Sequence, residues 1–319
     1  MNERRVGLVL GAGGVLGLAY HAGALAALAE ATGWDPRTAD VLVGTSAGSI
    51  TASLLRAGLP AADLLARATG GSLSAEGGRL LSGAGPAAAA AGPPRGRWSW
   101  SGAGSTGLLR QALARPGSVR LAAAVAAALP HGWASTESFV GPLRGVLGAA
   151  WPDRPTWLCA VRLDDGARVV FGAPNAPTAA WPDAVAASCA IPSVFQPVVI
   201  GGRRYVDGGV HSVTNLDAAA GCDLDLVVVS APMAMRTAAA PLAPDVPLRL
   251  AAAARLRAEA GAVRRRGTEV VLLLPSSSDR RAMGMDMMDL RRRAAVAEQA
   301  RASVLEWLRR PEVRRSLDG

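Results

Sequence analysis

The stretch VGLVLGAGGVLG, residues 6–17, runs from a short apolar segment into a loop of glycines. An apolar run that ends in glycines predicts a buried strand followed by a tight turn. Residues 17–30 are rich in Ala and Leu with Gly33 just beyond, which predicts a helix that stops at that glycine. The stretch VLVGTSAG, residues 41–48, repeats the order, because it leads into a second helical segment over 47–56. This alternation predicts a parallel α/β sheet whose functional loops lie at the carboxyl ends of its strands.

The rest of the chain continues this pattern after a compositional break. Residues 82–107 are rich in Gly, Ala, Pro and Ser and include Trp98 and Trp100, which predicts a loop or a lid. Further strands are predicted over 156–163, 168–171, 226–230 and 269–274, and further helices over 119–129, 183–190 and 289–310. We therefore expect one domain over 1–319, with a core from about residue 6 to residue 310.

Composition limits the class of protein. Half of the 319 residues are apolar, so the chain can bury enough surface to fold. Its 34 basic residues are all arginine and give a formal charge of +9, but they are scattered and aromatic residues are only 4%. We therefore expect no nucleic-acid partner, and keep contact with an anionic membrane surface as a minor alternative. Three cysteines without metal-ligand spacing predict a reducing, cytoplasmic location.

The sequence GTSAG, residues 44–48, is the strongest local signal for chemistry. It lies between a predicted strand and a predicted helix, which is the context that a nucleophile elbow needs. Gly44 and Gly48 would permit a sharp turn that exposes the Ser46 hydroxyl at the positive end of the helix. The alternative is an ordinary turn in which Ser46 caps the helix.

A nucleophilic serine needs N–H donors for the oxyanion that develops during attack. The glycine loop of residues 11–17 is a candidate, because it ends the strand that neighbours the one before Ser46. The alternative, a dinucleotide-binding loop, requires glycines at the first, third and sixth positions of one frame. From Gly11 the sixth position is Leu16, and no acidic residue ends the second strand, which disfavours that alternative.

The local sequence pattern offers several candidates for the base that would activate Ser46. The three histidines are His21, His131 and His211, and none lies late in the chain as a hydrolase triad usually requires. His21 is interpreted as packing or capping the first helix, and His131 as a turn residue. A desolvated carboxylate could serve as the base instead, and Asp207 ends a short strand before two glycines. The other aspartates that compete for this role are Asp164, Asp165, Asp217, Asp223 and Asp225.

Four motifs in order resemble those of the patatin-like phospholipase family. They are residues 10–17, residues 44–48, the stretch ASCAIPSVFQPV at 187–198, and Asp207-Gly208-Gly209. The resemblance implies a three-layer α/β/α fold with a mainly parallel central sheet. It also implies that Ser46 is the nucleophile, that Asp207 is its base, and that the amides of Gly13 and Gly14 form the oxyanion hole. Family members commonly carry a third glycine and a basic residue in the first loop, where this chain has Ala12 and Leu16.

The resemblance implies an enzyme that hydrolyses carboxylic esters of lipids or phospholipids through an acyl-Ser46 intermediate. No metal or organic cofactor is implied, and the oligomeric state is left open. We expect a cytoplasmic protein that contacts its lipid or acyl-ester substrate, in one interpretation at the periphery of a membrane. Two alternatives stay open at this stage: a catalytically silent interaction protein with the same fold, and an acyltransferase that uses the same dyad.

Overall fold

The computed structural model describes residues 1, 4–82, 132–236 and 245–318. The strands are β1 (Val6–Leu10), β2 (Val41–Thr45), β3 (Thr156–Arg162), β4 (Arg168–Phe171), β5 (Val198–Ile200), β6 (Arg203–Asp207), β7 (Leu226–Ser230) and β8 (Glu269–Leu273). The helices in this part of the chain are α1 (Gly14–Thr32), α2 (Ala47–Arg56), α3 (Ala61–Thr69), α4 (Ala75–Ser82), α5 (Glu137–Leu147), α6 (Trp181–Ser188), α7 (Val246–Arg264), α8 (Ser277–Met283), α9 (Arg293–Leu308) and α10 (Pro311–Asp318).

The strands form one mixed sheet in which hydrogen-bonded neighbours follow the order β5-β6-β3-β2-β1-β7-β8. Strand β4 also pairs with β3, on the edge opposite to β2 and β6. Strands β3, β2, β1, β7 and β8 are parallel, whereas β4 and β6 run antiparallel to β3. The buried parallel strands are nearly all apolar, as expected where helices cover both faces of a sheet. The predicted three-layer α/β/α fold with a mainly parallel sheet is confirmed.

Alternate residues of β1 face the two helical layers. Leu8 and Leu10 belong to the larger core with α1, α2, α3 and α9, whereas Val9 belongs to the core with α7. Helix α1 is the one described helix long and apolar enough to cross a membrane, and most of it is buried within the protein. Its small side chains suit this place, because α1 packs between the sheet and α9.

Strand β3 brings the carboxyl ends of β2 and β6 together. Along one edge of β3, Cys159 pairs with Thr45 of β2, and the next residue, Ala160, pairs with Asp207 of β6. The opposite edge is occupied by β4, which pairs with these same two residues. Two strands that approach from opposite directions therefore end beside each other. Their last residues, Thr45 and Asp207, place residue 46 next to the Asp207 carboxylate.

The predicted elements are largely present, with differences at their ends. Helix α1 begins at Gly14 instead of residue 17, and β2 continues to Thr45 instead of ending at residue 43. Helices α3, α4, α7, α8 and α10 and strand β5 were not predicted from the sequence pattern. The predicted lid over 82–107, except for Ser82 at the end of α4, and the predicted helix over 119–129 lie outside the described residues.

Candidate active site

Ser46 has the backbone conformation of a residue in a forced turn. Its φ and ψ are 53° and −119°, a region that residues other than glycine adopt at a cost in free energy. Ser46 occupies the N-cap position of α2, but its side chain makes no capping hydrogen bond. The alternative in which Ser46 caps the helix is therefore wrong.

Gly44 and Gly48 make this turn sterically feasible. A Cβ on Gly48 would overlap the Leu10 carbonyl oxygen, and a Cβ on Gly44 would lie 2.6 Å from the Cα of Ser49. The Gly48 amide donates a hydrogen bond to the Gly11 carbonyl oxygen at 3.1 Å. The predicted glycines therefore let α2 and the glycine loop approach each other to backbone contact.

Ser188 and Cys189 hold the backbone of Ser46 from the end of α6. The Ser46 amide donates to the Ser188 hydroxyl at 3.0 Å, and this hydroxyl donates to the Cys159 carbonyl at 2.7 Å. The Ser46 carbonyl accepts hydrogen bonds from the Ser49 hydroxyl at 2.7 Å and from Cys189 Sγ at 3.2 Å. Ser188 and Cys189 lie in the 187–198 motif, but the sequence alone predicted no role for either residue.

The Asp207 carboxyl lies in a desolvated position against Ser46. Burial raises the pKa of Asp207 to about 6, although hydrogen bonds with the Ser46 side chain and the Gly209 amide lower it. The Gly209 amide donates to Asp207 Oδ1 at 2.7 Å and so orients the carboxylate. A carboxylate with a raised proton affinity, hydrogen-bonded to a serine hydroxyl, can accept the proton of that hydroxyl.

Asn215 ties the turn after Asp207 to the end of β2. Its buried side-chain amide donates to Thr45 Oγ1 at 3.0 Å, to the Gly208 carbonyl at 3.3 Å and to the Ser212 carbonyl at 2.7 Å. Because Thr45 precedes Ser46 and Gly208 follows Asp207, this one side chain fixes the relative positions of both residues. Sequence reasoning missed Asn215, and no local pattern marks it.

Gly14 of the glycine loop lines the same cavity as Ser46. Gly14 adopts a left-handed φ of 59°, and a side chain there would meet Met288 Sδ at 2.7 Å. Within the described part of the chain, the amides of Gly13 and Gly14 donate to no backbone carbonyl. They start α1, where the helix dipole favours negative charge.

Ala12 and Leu16, the two departures from the family pattern, take structural positions. The Ala12 amide donates to the Val213 carbonyl at 2.7 Å, so it is already engaged within the protein. Leu16 is fully buried, and its amide donates to the Met287 carbonyl at 3.0 Å.

The buried His21 ring links the glycine loop to the end of β7. Its Nε2 lies 2.8 Å from the Gly11 carbonyl oxygen, and its Nδ1 lies 2.8 Å from the Ser230 hydroxyl. Because a carbonyl only accepts, Nε2 carries the proton and Nδ1 accepts from Ser230. Burial lowers the pKa of His21 to about 4, so the ring is neutral at physiological pH. The Gly11 carbonyl therefore accepts one hydrogen bond from Gly48, at the elbow, and one from His21, on α1.

The competing candidates for the base have other partners. Burial raises the pKa of Asp217, but its ion pair with Arg168, together with smaller contributions from the charges of Arg255 and His211, lowers it more. His211 ends the turn after Asp207, where its amide donates to the Gly208 carbonyl at 3.0 Å. His131 lies outside the described residues. The other aspartates interact elsewhere: Asp164 with Arg203, Asp165 with Arg162, Asp223 with Arg5, and Asp225 with the Arg5 amide.

Two adjoining cavities lead away from Ser46. The first has a volume of about 70 Å³ and is lined by Ser46, Gly14 and a mainly apolar set. The second, of about 120 Å³, shares Val15, Leu18, Ile50 and Phe139 with the first. Arg67 and Arg293 are the two charged residues in its lining. The arrangement offers an apolar chain a path beside the serine hydroxyl.

A strained serine between strand and helix, beside a glycine loop in a three-layer α/β/α protein, defines the class of protein as a hydrolase of the serine-elbow type. The sequence pattern of the family described as "Patatin-like phospholipase" matches residues 8–220, more than half of the chain. The chain belongs to this family of lipid acyl hydrolases. No individual curated protein matches it.

Proposed function

We propose that this protein hydrolyses carboxylic esters of lipids with Ser46 as nucleophile and Asp207 as its general base. The observation that carries the proposal is the hydrogen bond between a serine in a forced turn and a buried carboxyl whose pKa is about 6. Ser46 is buried, but it lines the first cavity, so an acyl group that enters this cavity can reach it.

In the first half of the reaction, Asp207 takes the hydroxyl proton as Ser46 Oγ attacks the ester carbonyl carbon. The amides of Gly13 and Gly14 donate to the carbonyl oxygen as it becomes negative. The tetrahedral intermediate collapses, the carbon–oxygen bond to the alcohol breaks, and Asp207 returns its proton to the departing alcohol. The product is an ester between the acyl group and Ser46.

In the second half, water attacks the acyl-Ser46 carbonyl carbon while Asp207 accepts a proton from the water. Collapse of the second intermediate releases the carboxylic acid, and Ser46 regains its proton. The apolar lining of the two adjoining cavities suits the acyl chain. The three cysteines are free thiols, which supports action in the reducing cytoplasm.

A fluorophosphonate probe, read by mass spectrometry, tests the proposal because only an activated serine reacts with it. We expect a single adduct on Ser46 in the wild type and none in Ser46→Ala or Asp207→Asn. The matched control is Ser53→Ala, which removes another buried serine of α2 and should leave labelling intact. A folded wild type that takes up no probe would contradict the proposal and favour a catalytically silent protein.

A further inference from the structure

Exposed apolar side chains concentrate at one end of the molecule. Among the described residues, five large apolar side chains are exposed, and four of them lie in two segments. We call these four the mouth patch: Leu248, Leu250, Met285 and Leu290. The fifth, Val199, lies on the edge strand β5. Clusters of exposed apolar residues mark interaction surfaces, whereas a single one needs no explanation.

Arg249 joins the two segments of the mouth patch. It lies between Leu248 and Leu250 on α7, but its own side chain is buried. Its guanidinium contacts Met283 Sδ at 3.8 Å and Met287 Sδ at 3.7 Å, and these residues lie two positions before and after Met285. The start of α7 and the segment around Met285 therefore form one continuous surface.

This surface borders the opening of the candidate active site. The Met287 carbonyl accepts the Leu16 amide, Met288 lines the cavity that contains Ser46, and Leu290 lines the adjoining cavity. A flat partner that covers the mouth patch would therefore lie against the entrance to both cavities.

Arginines outnumber carboxylates in the segment that carries Met285 and Leu290, because residues 280–293 hold five arginines and two aspartates. Arg291 and Arg292 follow Leu290 directly, with side chains 89% and 48% exposed. Both contact Asp289, whose own side chain is only 14% exposed, so the guanidinium groups are what the surface presents. Asp286, the other acidic residue of this segment, is also exposed, so the arginines exceed the exposed carboxylates without being the only charges. Exposed apolar side chains beside exposed arginines fit a lipid surface that carries anionic head groups.

We infer that the mouth patch, with Arg291 and Arg292, is the surface by which this protein docks onto anionic membranes to draw lipid into the Ser46 cavity. The inference rests on the proposed function, because a lipid hydrolase must take its substrate from an aggregate. Leu248 and Met285 insert among the acyl chains, the arginines meet the head-group phosphates, and the cavity entrance faces the lipid.

Co-sedimentation with vesicles tests the docking surface. We expect the wild type to bind vesicles that contain phosphatidylglycerol more tightly than vesicles of phosphatidylcholine alone, and to lose this preference at high salt. The double variant Leu248→Ser with Met285→Ser should bind at least about tenfold more weakly. Val199→Ser is the matched control, because it removes an equally exposed apolar side chain from the distant edge strand and should bind as the wild type does.

A charge variant tests the second component of the surface. Arg291→Gln should reduce binding to phosphatidylglycerol vesicles and weaken its salt dependence. Arg203→Gln is the control, because Arg203 is also an exposed arginine paired with an aspartate. Equal losses in both variants would indicate attraction by net charge alone and would overturn the assignment of this surface.

Hydrolysis of a soluble short-chain ester separates this inference from the proposed function. Leu248 and Met285 line neither cavity, so the double variant should keep wild-type activity on that ester while losing activity on vesicles. A protein that binds vesicles through the mouth patch but cleaves no ester would overturn only the proposed function. Undiminished vesicle binding by the double variant would overturn the docking surface, as would a dimer that this variant converts to monomers without any binding of vesicles.

Discussion

Two buried titratable residues, Asp207 and His21, lie on either side of the glycine loop and show opposite shifts. Burial is the main cause in both cases, and it raises the pKa of Asp207 to about 6 and lowers that of His21 to about 4. Asp207 interacts with the side chain of Ser46, which lines a cavity, whereas both nitrogens of His21 are engaged by Gly11 and Ser230. Desolvation alone therefore does not identify a catalytic group, because the hydrogen-bond partners decide whether the group can exchange a proton with a substrate.

The largest expected effect is on the Asp207 side of this comparison. Ser46→Ala should reduce kcat for ester hydrolysis by up to roughly 10⁶-fold, and Asp207→Asn should be similarly damaging, because each removes a member of one chemical unit. The double variant should be about as inactive as either single variant. Steady-state kinetics with a soluble ester, together with circular dichroism to confirm folding, would measure this. Substantial activity in Ser46→Ala would refute the dyad.

The second expected effect is on the pH dependence of stability, which has opposite signs for His21 and Asp207. The pKa of His21 is lower in the folded chain than its ordinary 6.5, so its contribution to stability is fully present above pH 6.5 and is lost as pH falls to about 4. The pKa of Asp207 is raised from 3.8, so its ionisation destabilises the folded chain above about pH 6, and this penalty is relieved as pH falls. The two dependences oppose each other between about pH 4 and 6.

Asp207→Asn should therefore raise the free energy of unfolding above pH 7 by about 3 kcal/mol, the equivalent of the pKa shift. It should also make stability fall more steeply between pH 6 and 4, because the opposing dependence of Asp207 is removed. Urea denaturation across this pH range would measure both. The control is Asp165→Asn, which removes a carboxylate whose pKa Arg162 lowers and so should not raise stability. An unchanged free energy of unfolding in Asp207→Asn would contradict the desolvation of Asp207.

These two residues also show how far the sequence could predict the site. The elbow was predictable because Gly44, Ser46 and Gly48 are neighbours in the chain and their turn is locally determined. Asp207 was one of six candidate aspartates until the family motif was considered. The partner of His21, Ser230, is 209 residues away, so no local pattern could reveal more than packing.

The other contacts of the site were also unpredictable, because the sheet brings together residues that are far apart in the chain. Ser188 reaches the Ser46 amide across 142 residues, and Asn215 reaches Thr45 across 170. The fold class followed from the order of apolar runs and glycines. The pairing of β6 with the same edge of β3 as β2 did not, because strand order depends on tertiary packing.

The third expected effect is on positioning. His21→Leu should lower kcat by roughly ten- to a hundredfold with little change in KM, because the Gly11 carbonyl loses the donor that holds the glycine loop. Ser230→Ala removes only the Nδ1 partner and should have a smaller effect on kcat. Fluorophosphonate labelling rates would follow the same order. A loss of stability with unchanged kcat would show instead that His21 only packs.

The smallest expected effect tests which base limits activity at low pH. The wild-type kcat/KM on a soluble ester should fall about tenfold per pH unit below about 6, because protonated Asp207 cannot accept the Ser46 proton. His211 lies four residues beyond Asp207 in the chain, and its charge acts on Asp217. His211→Gln should therefore keep both the wild-type kcat/KM at neutral pH and the same inflection near pH 6. A folded His211→Gln protein that forms no acyl-enzyme would replace the Ser-Asp dyad with a Ser-His arrangement in which Asp207 orients the imidazole.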